Sequence, residues 1–176
     1  MTPAEAEALV DEKLGSTPRA THSRQVAALM DLLASHWGAD RELWTVVGLV
    51  HDLDYFVIGE GWTRHGVLAR EWLEGQLPDD ALMAIAAHDH RTGIRCDSLL
   101  GDMLRLADAL AITIEAVGTE MFAVADAFPR LRAALGQRPY LADMIEAISQ
   151  RRHLPVEVLH TIAASSAAIA RFSASA

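Results

Sequence analysis

His51 and Asp52 stand side by side at the end of an apolar stretch, Leu43-Trp44-Thr45-Val46-Val47-Gly48-Leu49-Val50. An imidazole nitrogen and a carboxylate oxygen are both good ligands for a divalent transition metal. Neighbours at i and i+1 on a helix point about 100° apart, so these two converge on one ion only if it lies beside the helix end. Residues of the same kind recur along the chain as His22, His65, His88 and Asp108. Asp108 is the most telling, because Met103, Leu104, Leu106, Ala107, Ala109, Leu110 and Ile112 surround it. A buried, unpaired carboxylate is costly and calls for a cation or several hydrogen bonds. No side-chain nucleophile competes with this chemistry, since Cys96 has no evident partner and no Gly-x-Ser-x-Gly or phosphate loop occurs.

Several residues stand beside this set with open roles. His90 competes with His88, because a small slip at the helix end would present either; His88 directly follows the apolar run 82–87. Asp54 is either a carboxylate that orients a ligand imidazole or an exposed turn residue. Arg91 and Arg95 are candidates for holding a phosphate, with a solvated loop as the alternative. Arg24 and Arg64 adjoin ligands in sequence, which on a helix turns them away from the ligand's face. Tyr55, Phe56 and Trp62 could line a pocket.

The elements that must carry these residues read as helices throughout. Thr2-Pro3 opens one to about Leu14, and Thr17-Pro18 opens a second that ends at Gly38. His22 falls early in that second helix. Asp40 caps a third, which ends in His51-Asp52. A fourth is expected over 62–74, with His65 in its first turns, and a fifth leads through 79–87 to His88. Ser98 caps a sixth that carries Asp108 and runs to about Val117. Gly118-Thr119 restarts the chain, Pro129 interrupts it, and helices are expected over 140–151 and 155–172. Loops at 54–61 and 89–97 are the natural pocket walls. No alternating strand pattern of useful length and no internal repeat occurs, so the fold class is all-α. The apolar C-terminal helix, with Ile162, Ala163, Ala167 and Ile169, could cover the core or join two copies in a homodimer. The Ala/Ser-rich tail beyond Phe172 is expected to fray.

The whole chain narrows the function classes. Its 176 residues suffice for one domain with a full core, and 51% hydrophobic with 22% charged residues is an ordinary globular balance. A net charge of −9 with no Lys/Arg run argues against binding a nucleic-acid backbone. A single cysteine rules out an intrachain disulfide. No apolar run approaches the ~20 residues of a membrane span, and the acidic N-terminus is unlike a signal peptide. A cytoplasmic protein is the expectation.

The order His22 … His51-Asp52 … His65 … His88 … Asp108 resembles the HD-domain superfamily of metal-dependent phosphohydrolases. More narrowly, His51-Asp52-Leu53-Asp54-Tyr55 is similar to the segment of small stand-alone bacterial HD hydrolases. The resemblance covers about 17–116. It implies a compact helical HD bundle, with a core over about 17–117 and a helical extension over 118–172. It also implies two divalent metals drawn from Fe, Mn, Co, Ni or Zn. His22, His51, Asp52 and Asp108 would hold the first, and Asp52 would bridge to a second completed by His65 and His88. Catalysis would then centre on Asp52 and His51, with a metal-bridging hydroxide attacking a small phosphate ester, a nucleotide or phosphorylated metabolite. Two other readings use the same ligands: a mixed-valent di-iron oxygenase, and a non-catalytic HD ligand-binding module.

Overall fold

Three hydroxyl or carboxylate caps start the first three helices of the computed structural model. Thr2 makes a reciprocal capping box with Glu5 at α1 (Pro3–Leu14). Thr17 accepts the Ala20 N–H at α2 (Pro18–Trp37), and Asp40 accepts that of Leu43 at α3 (Arg41–Val50). α2 stops at Gly38, whose left-handed φ of +62° a glycine adopts without strain. The chain continues through α4 (Val67–Trp72), α5 (Asp79–Ala86), α6 (Leu99–Val117), α7 (Ala127–Ala134), α8 (Tyr140–Arg151) and α9 (Val156–Ser173). Short 3-10 helices occur at His90–Thr92 and Glu120–Phe122. The structure describes residues 1–124 and 126–173, the last seven as backbone only. Among these residues there is no strand, so the chain is all-α. The side chains of Ala167 and Ile169, and the tail beyond Ser173, lie outside the described residues. Among the described residues, no helix is long and apolar enough to cross a membrane.

The chain forms two compact units, Met1–Arg105 and a second beginning at Leu106, with α6 running from one into the other. In the first unit α2 packs most extensively on α3, and α1 packs on both. Val26, Leu29, Met30 and Leu33 of α2 recur at helical spacing and are fully buried, as are Val47 and Val50 of α3. Each such burial contributes roughly 1.5–3 kcal/mol. The two helices cross closely because Gly48 has no side chain: a Cβ there would lie 2.6 Å from the Ala27 Cα. In the second unit α7 packs against α8. Leu131, Leu141, Ile145 and Ile148 are buried there.

Two expectations are corrected. α4 starts at Val67, not at 62, because Trp62 and Gly66 both have positive φ, +59° and +79°. His65 therefore sits in a turn just before the helix. Pro129 does not interrupt the chain but lies in the first turn of α7, where a missing N–H costs nothing.

Candidate metal centre

Four imidazoles and one carboxylate meet in the first unit, delivered by separate stretches of chain. α2 carries His22, and the end of α3 carries His51 and Asp52. The turn before α4 carries His65, and the residue pair after α5 ends at His88. All five are buried, Asp52 to 1% exposure. His51, Asp52 and His88 each bring a ligand-type atom within 4.8 Å of the others'.

The carboxylate divides the imidazoles between its two oxygens. Asp52 Oδ1 faces His65 Nε2 at 2.9 Å and His88 Nε2 at 3.5 Å. Oδ2 faces His51 Nε2 at 3.4 Å and His22 Nε2 at 3.7 Å. In three of these rings the other nitrogen is tied back to a fixed acceptor. His51 Nδ1 donates to the Gly48 carbonyl at 2.8 Å, and His88 Nδ1 to the Ile85 carbonyl at 2.7 Å. His65 Nδ1 donates to Asp54 Oδ1 at 2.9 Å. A carbonyl can only accept, so each anchored ring holds its Nδ1 proton and turns Nε2 inward. A neutral ring then aims a lone pair at a carboxylate oxygen, and His65 and His88 aim Nε2 atoms at each other across 3.3 Å. Such mutual facing of acceptors is stable only with protons or cations between them. Imidazole and carboxylate are the donor types that first-row divalent metals take, and the backing of the His51, His65 and His88 rings is what metal-ligating histidines need. The residues therefore fit a metal.

Charge in the cluster follows from this arrangement. Burial opposes ionisation of Asp52, yet positive charge at His51 and hydrogen bonds from His65 and His88 hold its carboxyl well below the usual carboxylate range. Burial likewise disfavours the charged form of His65, but hydrogen bonds to Asp52 and Asp54 outweigh it and raise its pKa to about 9.

Asp54 is fully buried and so is not an exposed turn carboxylate. Its Oδ2 accepts the backbone N–H of Gly66 at 2.7 Å and of Ala69 at 3.2 Å, capping α4 while Oδ1 holds His65. Gly66 is required here on two counts. It has positive φ, and a Cβ would clash with the Ile85 carbonyl oxygen and come 2.8 Å from His88 Nδ1.

His88 rather than His90 enters the cluster; the His90 side chain is 82% exposed. Arg91 pairs with Asp89 and lies 4.5 Å over the Trp62 ring, while Arg95 is exposed. Arg24 binds Glu7 and Asp11, and Arg64 binds Glu71, both away from the cluster. Asp108 lies on α6 within the second unit and is half-buried. Two surface cavities of about 510 and 230 Å³ lie along α1 and residues 72–76, and none of the cluster's residues lines either.

Arg19 was not singled out by sequence reasoning. Its Nη1 donates to Asp52 Oδ2 at 2.7 Å, and its guanidinium lies 3.9 Å over the Tyr55 ring. The available signal was its position three residues before His22, on the same helix face.

No solved structure matches the chain. The family model of the HD domain matches residues 19–113, more than half of the chain, from Arg19 through all the histidines of the cluster to beyond Asp108. With its histidines and aspartates in that order and four of the histidines gathered round Asp52, the chain belongs to the HD-domain family.

Proposed function

We propose that the protein is a metal-dependent phosphohydrolase acting on a small phosphate ester, a nucleotide or a phosphorylated metabolite. One observation carries this reading: Asp52 offers a different oxygen to each of two imidazole pairs, His65 with His88 and His51 with His22. A carboxylate shared in this way suits a bridge between two divalent ions of Fe, Mn, Co, Ni or Zn. On the family resemblance Asp108 is the remaining ligand. Bound there, such a pair would supply Lewis acidity at the phosphoryl oxygens and would lower the pKa of bound water to about 7.

The chain's own residues do the rest. Asp52, kept ionised, provides the central negative charge. The Gly48 and Ile85 carbonyls and Asp54 keep three imidazoles in the ligating tautomer and orientation. Arg91, Arg95 and His90 stand at 90–95, directly after the cluster's last histidine, where cationic or polar groups can hold substrate oxygens. No side chain needs to act as nucleophile.

The test is a panel of phosphate esters assayed with manganese, cobalt or iron, with Asp52→Ala as control. Metal-dependent release of phosphate that the variant loses is the expected result. Iron-dependent oxygen consumption on any substrate, without phosphate release, would overturn the hydrolase reading in favour of an HD-type oxygenase. Metal stoichiometry and all activity unchanged in Asp52→Ala would favour a ligand-binding module.

A further inference from the structure

The Oδ2 edge of Asp52 already carries a cation. Arg19 Nη1 lies 2.7 Å from that oxygen, the one that also faces His51 and His22. Both Arg19 and His22 come from α2, one turn apart, so guanidinium and imidazole approach the same atom from the same helix. Three-quarters of the Arg19 side chain is shielded from solvent, and the Tyr55 ring backs its guanidinium at 3.9 Å. A stacked arginine of this kind is held in place rather than waving in solvent. The Oδ1 edge, by contrast, faces the imidazoles of His65 and His88.

An ionised carboxylate this deeply buried needs a positive partner whether or not metal is present. We propose that Arg19 is the resident counter-cation of the metal-free centre, and that a metal arriving at the His22/His51 edge competes with it for Asp52. The inference rests on the metal reading above. Two cations on one carboxylate oxygen repel, so the guanidinium must draw back along the Tyr55 ring or weaken the metal's hold. Linkage then makes two effects reciprocal: what Arg19 adds to the stability of the empty centre it subtracts from metal affinity. The opposing role is that of an orienting partner, which steadies Asp52 for the metal; its loss would weaken binding. The two roles predict opposite signs.

The experiment is calorimetric titration of full-length protein with Mn²⁺ at one pH, together with thermal melts of the metal-free forms. Arg19→Gln removes the charge, and Arg19→Lys keeps it. Arg19→Gln is expected to bind Mn²⁺ about tenfold more tightly and to melt lower when metal-free, with Arg19→Lys near wild type. If metal-free Arg19→Gln does not fold, refolding by Mn²⁺ supports the inference and failure to refold overturns it. Equal or weaker binding by a folded Arg19→Gln overturns it while leaving the metal reading intact. No binding of Mn²⁺, Co²⁺ or Fe²⁺ by wild type removes both together.

Discussion

His65 shows how one side chain can be set by its two neighbours. Its ring lies between two carboxylates, Asp54 on Nδ1 and Asp52 on Nε2, both at 2.9 Å. Its pKa of about 9 lies above the value of about 6.5 for an unfolded histidine, so the ring favours folding while both states are protonated. That contribution is complete below pH 6.5 and fades as pH rises through 9. Thermal melts in chelator should therefore show the metal-free protein losing stability between those limits, by on the order of 3 kcal/mol. A metal on Nε2 must displace that proton. Binding at pH 8 should thus release protons, seen as a heat that changes with the ionisation enthalpy of the buffer. Asp54 gives a second residue-level prediction. Both its oxygens accept from donors, so an amide at this position sets an NH₂ against a donor whichever way it turns. Asp54→Asn should lower metal affinity by roughly tenfold to a hundredfold, measured by competition with a chromogenic chelator.

Among the elements, the helices that carry ligands were legible wherever a cap or stop stood next to an apolar period. Thr17 and Gly38 bound α2, and Asp40 opens α3, at the residues the sequence indicates. The start of α4 was not legible. Its cap is Asp54, twelve residues upstream of Gly66, and no local pattern reports a cap donated from another turn. The same distance effect left Asp54 open between orienting a ligand imidazole and standing exposed in a turn, a choice that only the folding of Gly66 and His65 back onto it decides. Gly66→Ala tests this corner directly. The added methyl meets the Ile85 carbonyl that fixes His88, and the positive φ adds strain. A loss of about 2–4 kcal/mol is expected by urea denaturation, with metal affinity falling alongside.

At the scale of the whole molecule, composition and charge bounded the class, and the order of histidines and aspartates indicated the family. The net charge of −9 has a reading in that light, because bound divalent ions would offset part of it. Metals that bind the native chain and not the unfolded one stabilise it by mass action, about 2.7 kcal/mol at a hundredfold excess over Kd. Chelation should lower the melting temperature, and adding back Mn²⁺ or Co²⁺ should restore it. What spacing cannot convey is how near two helices lie, and here that separation has chemical meaning. Gly48 lets α3 rest against the backbone of α2 at Ala27, and its carbonyl holds the His51 ring. His22 rides on one of these helices and His51 follows the other. Glycine at position 48 is thus a spacer of zero thickness between two ligands: a bulkier residue would act as a shim, and the span offered to an ion would widen with it.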